Sequence, residues 1–82
     1  MKVRQRLKKK LLKALGQRVR FFRNKVGISQ ENLAFQIGVD RTYIGAIEQG
    51  LRSPSIYCLY MTAKVLGIEL KDLAEFEVEW LN

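Results

Sequence analysis

The stretch ISQENLAFQIGVDRTYIGAIEQG, Ile28 to Gly50, gathers the side chains best placed to do chemistry, and that chemistry is recognition. It reads as two short helices joined by a tight turn, an arrangement that lays one helix in a DNA groove. Ser29 can cap the first of them, and Gln30 and Glu31 fall in its first turn, where a carboxylate suits the helix dipole. Leu33, Ala34 and Ile37 follow at helical spacing, so one face is apolar and one polar. Gly38 supplies the left-handed residue that ends this helix, and Val39 fills the corner. Asp40 caps the next helix, expected over residues 41–49, with Ile44 and Ile47 three apart on its apolar side. Catalysis has no comparable basis. The chain has no histidine, no nucleophile beside a base and no glycine-rich phosphate cradle, and its carboxylates gather toward the C-terminus instead of flanking a cleft. No catalytic residue is assigned, and no enzymatic activity is expected.

The elements that must position this segment make a single domain, since 82 residues hold one core and not two. Leu11, Leu12, Leu15, Val19 and Phe22 recur at steps of three and four, which predicts an amphipathic first helix ended by Gly27. Its opposite face, with Lys13, Arg20 and Lys25, is basic. Gly50 to Ser53 reads as a loop, Pro54 suits a helix start, and Ser55 caps a fourth helix ended by Gly67. Leu59, Ala63 and Leu66 form its buried side. A short fifth helix from about Leu70 to Phe76 would bury Leu73.

Charge separates along this frame. Residues 1–30 carry 11 basic groups and no acid, residues 31–68 carry three of each sign, and residues 69–82 carry one lysine and five acids. The net charge of +7 favours a phosphate backbone or an anionic lipid surface as partner. Cys58 stands alone in an apolar helical pattern, which suits a buried thiol in a reducing, cytoplasmic setting. With no histidine and one cysteine, no metal site of the usual thiolate or imidazole kind is expected, and no cofactor is implied. The apolar run around Leu11, Leu12 and Leu15 is interrupted by Lys13, too short and too charged for a secretory signal or a membrane span. An acid-free amphipathic start also fits a transit peptide, against which the basic segment runs directly into the first core helix.

Both ends admit two readings. Met1, Val3 and Leu7 are interspersed with Lys2, Arg4 and Arg6, while Phe76, Val78 and Trp80 alternate with Glu77 and Glu79. Alternation of period two predicts short strands of complementary charge, paired within a subunit or across a dimer. The other reading extends the first helix through the N-terminal segment, while the C-terminal segment frays or continues the fifth helix. The chain therefore divides into a basic arm or helix extension over residues 1–10, a helix-turn-helix domain over 11–76 and an acidic, aromatic tail over 77–82.

Leu15 to Leu73 resembles the DNA-binding domain of the lambda-repressor and Cro-like family. The resemblance rests on SQE at Ser29–Glu31, the GV turn, YI in the third helix, IE-x-G at Ile47–Gly50, PS at Pro54–Ser55 and the closing LGI. It implies an all-α, five-helix domain whose third helix is the recognition helix, as a homodimer on a two-fold symmetric operator in double-stranded DNA. Gln30 then matches a glutamine that contacts the DNA backbone and supports the recognition residues. Arg41 and Thr42 match the first exposed positions of the recognition helix, Tyr43 follows them, and Arg52 matches a loop position that touches DNA. The arginine fork can bond guanine O6 and N7 together, and threonine can meet either a polar edge or a thymine methyl. Arg23 and Glu48 match an ion pair that fixes the third helix against the first, a structural role.

Each position also has a plainer reading: Arg41 as a solvated charge, Thr42 as helix-start reinforcement, Tyr43 packed sideways on the second helix, and Gln30 as a good first-turn residue. The basic face of the first helix reads as a solvated face. Within the regulator reading, DRTYIGAIEQG and the single-domain length resemble restriction–modification controller proteins. No ligand-sensing domain follows, so no small-molecule ligand is expected and the regulator would answer to its own concentration. A second reading is an antitoxin-like protein whose acidic, aromatic C-terminus docks another polypeptide. A membrane-surface role for the basic first helix is the third, and it is the weakest because that helix needs its apolar face for the core.

Overall fold

The computed structural model describes residues 2–77, with the side chain of Lys2 left aside. Five helices follow in order: α1 Lys2–Val26, α2 Gln30–Ile37, α3 Arg41–Glu48, α4 Ile56–Leu66 and α5 Leu70–Leu73. Local chemistry sets their limits. The Ser29 hydroxyl accepts from the Asn32 amide, the Asp40 carboxylate from the Thr42 amide, and the Ser55 hydroxyl from the Cys58 amide. At the other ends, Gly38 and Gly67 donate back to the carbonyls of the last turn of α2 and α4.

The core forms where α2, α3, α4 and the C-terminal half of α1 converge. Leu15 and Val19 of α1 meet Leu33 and Ala34, Ile44 and Ile47, Cys58, Ala63 and Leu66, and Leu73 closes the end. Two close approaches set the placement of α1. A Cβ on Gly16 would collide with the carbonyl oxygens of Ile47 and Glu48, so the backbone of α1 lies directly on the last turn of α3. Gly50, at φ 78°, lies against the backbone of Leu12 and Lys13, and a Cβ there would come within 2.9 Å of the Lys13 Cα. Glycine is required at both places, for space at one and for space and backbone conformation at the other.

Three expectations change. Short strands do not form among the described residues, because α1 is one continuous helix from Lys2. Val3, Leu7 and Leu11 lie four apart as well as in an alternating context, and Lys, Arg, Leu and Gln are good helix formers. A helix already held by the core propagates through them at little cost. The opposite half of the strand reading, at Val78 and Trp80, falls outside the described residues. Second, Leu11 remains 43% exposed instead of joining the core, since the packing surface begins one turn further on at Leu15. Third, α5 stops at Leu73. The Phe76 amide then donates to the Ala74 carbonyl in a turn that returns Phe76 to the core edge.

Candidate nucleic-acid interface

α3 is amphipathic along its length and across its width. Ile44, Ile47 and Glu48 are buried, whereas Arg41 and Thr42 at its start are exposed. Asp40 caps this start through a 3.2 Å bond from the Thr42 amide, which fixes the backbone under both side chains while their own polar atoms face outward. Gly45 and Ala46 follow on the half-exposed flank and present little bulk.

The other end of α3 is tied down by one carboxylate. Glu48 accepts from Arg23 Nε at 2.6 Å and Nη2 at 3.1 Å, a bidentate pair with both residues buried. Arg23 spends its remaining nitrogen on the Ile28 carbonyl at 2.8 Å, at the junction leading into α2. Glu48 also accepts from the Gln30 amide nitrogen at 2.9 Å. Three helices therefore meet at one side chain, and no buried side-chain polar atom among the described residues lacks a partner. Such a pair is costly to desolvate. Once it is formed, removing either member strands the other charge where α1, α2 and α3 meet.

Gln30 consequently has a defined pose. With one N–H committed to Glu48, its second N–H and its carbonyl oxygen remain for other partners. Its Oε1 lies 3.6 Å from where a Cβ on Gly45 would stand, so the small residue in α3 leaves the glutamine room at the helix boundary.

Tyr43 and Arg52 come together. The Arg52 guanidinium stands over the Tyr43 ring, 5.2 Å from its centroid, which presents the exposed loop arginine on an aromatic platform beside the start of α3. The tyrosine itself is half-buried against the core and interacts with the Cys58 thiol. Its side chain therefore also links α3 to α4. Burial pushes the Cys58 thiol above its ordinary pKa, against the opposing pull of hydrogen bonding from Thr62 and Tyr43.

Sequence reasoning passed over two residues that hold α1 to its neighbours. Gly16 was one, although an isolated glycine inside a strongly helical pattern is itself a sign of close backbone approach. Arg18 was the other. It donates to the Asp72 carbonyl from Nε at 3.2 Å and Nη2 at 2.9 Å, and stacks over Phe22 at 4.9 Å, fastening α5 to α1. Its partner lies 54 positions away, and no local pattern announces it. Among the described residues no cluster of histidine, cysteine or carboxylate side chains could hold a metal ion, and no helix is long and apolar enough to cross a membrane.

The arrangement has close counterparts. The family model described as helix-turn-helix matches residues 19–73. The control protein C.BamHI of Bacillus amyloliquefaciens is 45% identical over 62 residues, spanning 74% of this chain and 76% of the relative. The crystal structure of the restriction–modification controller protein C.AhdI from Aeromonas hydrophila superposes with a TM-score of 0.73 at 44% identity, over 76% of this chain and 94% of that one. The N-terminal DNA-binding domain of SinR from Bacillus subtilis gives a TM-score of 0.70 at 33% identity, over 79% and 96% of the two chains. The capped polar start of α3, the turn at Gly38 and the five-helix order thus have their place: the chain belongs to the helix-turn-helix family, in its lambda-repressor-like, XRE-type form.

Proposed function

We propose that this protein is a sequence-specific transcription regulator that binds double-stranded DNA as a homodimer, with α3 as its recognition helix. The observation that carries this reading is the division of α3 into a locked end and a presented end. Glu48 holds the C-terminal turn through Arg23 and Gln30, and that leaves Arg41 and Thr42 as exposed donors at the opposite end. A helix so held can enter a major groove without rearranging, and residues near its start are the ones that reach base edges in this motif.

Roles follow from chemistry. Arg41 bonds a guanine through its fork, and Thr42 meets a neighbouring edge or methyl. Gln30 contacts the backbone at the start of α2, where free amides and the helix dipole favour a phosphate. Arg52, steered by the Tyr43 ring, takes a phosphate or base edge from the loop side. Tyr43 serves as platform and as a brace to α4. Exposed apolar side chains at Leu51, Ile56, Tyr57 and Tyr60 supply surface for a second copy. A dimer of this motif reads half-sites centred about 34 Å apart, which makes the operator a two-fold symmetric sequence. No cofactor or small molecule enters this mechanism. Occupancy follows protein concentration, and the protein works in the cytoplasm. The similarity to C.BamHI and C.AhdI supports a controller of restriction–modification genes as the subclass.

Selection of bound sequences from a random duplex pool tests the reading. Enrichment of a symmetric site with half-sites one helical turn apart supports it. Retention of duplex without any enriched sequence contradicts it.

A further inference from the structure

The N-terminal half of α1 is left over once the reading surface is assigned. Residues 2–13 carry seven Lys or Arg side chains and no acid. They precede the family match, which begins at residue 19. A helix of 25 residues is about 37 Å long, and the longest dimension of the molecule is 36 Å. Leu15 is the first buried residue along it among those described. Residues 2–11, a little under three turns, therefore precede the first close backbone contact of α1, at Leu12 and Lys13, and are continuous with the half that the core holds.

Helical phase gives this projection a direction. α1 meets the last turn of α3 through Gly16, and the start of the following loop through Lys13, whose backbone lies against Gly50. Positions 6, 9, 13 and 16 share one helical face. Arg6 and Lys9, both exposed, thus prolong beyond the domain edge the line along which α1 touches the loop that bears Arg52. The steps from 6 to 9 to 13 are about 4.5 and 6 Å along the axis, within the reach of long flexible side chains seeking successive phosphates. The apolar residues Val3, Leu7 and Leu11 make only a narrow stripe on another side, too little for a helix lying in a lipid surface.

We propose that Arg6, Lys9 and Lys13 bind phosphates of the DNA that flanks the operator, extending the contact beyond the recognition helix without reading bases. This inference rests on the DNA-binding function proposed above. The extension acts as a rigid cationic outrigger: it adds affinity and salt dependence, while sequence preference stays with α3.

The test compares the wild-type protein with the triple variant Arg6→Gln, Lys9→Gln, Lys13→Gln. All three side chains are exposed and glutamine is a good helix former, so helix content and melting temperature should hold, and circular dichroism checks this. Affinity is measured against salt on two duplexes, the selected operator with about ten flanking base pairs on each side, and the operator trimmed of flanks. The wild type should favour the flanked duplex and the variant should not. The slope of log affinity on log salt should be shallower in the variant by roughly 2.7 per subunit, at about 0.9 for each phosphate lost. The advantage of the wild type should then shrink about fortyfold for one subunit between roughly 50 and 200 mM salt.

An unchanged slope and unchanged flank dependence in a folded variant would overturn the proposal. So would a change in base preference, or a loss confined to anionic phospholipid vesicles, which would assign the helix to a lipid surface. If the wild type binds no duplex at all, the DNA-binding function itself fails, and this inference with it. If the wild type binds and the variant behaves identically, only the inference fails.

Discussion

The two ends of α3 are seven residues apart and obey opposite rules. At its C-terminal end, Ile47 and Glu48 are buried, Glu48 accepts hydrogen bonds from α1 and α2, and the backbone of Gly16 rests on the carbonyls of the last turn. At its N-terminal end, Arg41 and Thr42 are exposed and only their backbone is fixed, through Asp40. The difference teaches how a small domain presents a reading surface. On the proposed reading, precision is built at the buried end, and the exposed end that would meet DNA keeps its side chains open to solvent. Substitutions at the first end should change whether the helix is held, and substitutions at the second should change what it prefers.

The largest effect is expected at the locked end. Glu48→Ala strands the buried Arg23 guanidinium and should cost about 3–5 kcal/mol, a large share of the roughly 5–15 kcal/mol that stabilises a domain. Denaturant titration would register it as a lowered midpoint. DNA affinity should fall with stability while the preferred sequence stays the same, and a shifted preference at full stability would break the comparison. Gly16→Val attacks the same place sterically. Backbone carbonyls cannot withdraw as a flexible side chain can, so α1 must lift from α3, at a cost of about 3 kcal/mol or more.

At the presented end the pattern reverses. Arg41→Ala should leave the melting temperature nearly unchanged, since exposed substitutions of this kind alter stability by about 0.5 kcal/mol or less. Its effect should appear in binding, as a loss of about 1–3 kcal/mol and relaxed preference at one symmetric position. A smaller and mixed outcome is expected at Gly45, between the two ends. Gly45→Ala meets only ordinary contact with Gln30, so helix propensity should raise stability by up to about 1 kcal/mol. The added methyl should weaken binding modestly, because it stands on the half-exposed flank that the proposed docking turns toward the groove. Thermal melting and binding measured on the same sample would separate the two.

The smallest effect concerns Cys58. Burial raises its thiol pKa, so the folded state holds the proton more tightly than the unfolded chain. The associated stability is complete below the pKa of the unfolded thiol and is lost as pH rises through the higher folded value. Stability should therefore decline slightly at alkaline pH, and Cys58→Ser should reduce that decline. Alkylation at neutral pH should be slow until the protein unfolds.

What was legible in the sequence follows the range of the interactions involved. Ser29, Asp40 and Ser55 bond amides two or three residues away, so α2, α3 and α4 could be read with their starts in place. The apolar spacing of Leu33, Ala34, Ile44 and Ile47 likewise carried their buried faces. The N-terminus was ambiguous because Val3, Leu7 and Leu11 satisfy helical spacing within an alternating context, and only attachment to the packed half of α1 decides between helix and strand. Contacts such as Arg18 with the Asp72 carbonyl, or Arg52 over Tyr43, depend on how elements dock and leave no local trace. The pose of Gln30 was hidden for the same reason: its neighbour Glu48 is a residue of another helix.

Sequence selection on random duplex DNA, run in parallel with wild type, Arg41→Ala and Glu48→Ala, tests the division of labour within α3 most directly. The account predicts one symmetric motif for the wild type, the same motif relaxed at one symmetric position for Arg41→Ala, and the same motif at reduced yield for Glu48→Ala. An unaltered motif with Arg41→Ala, or a new motif with Glu48→Ala, would contradict it.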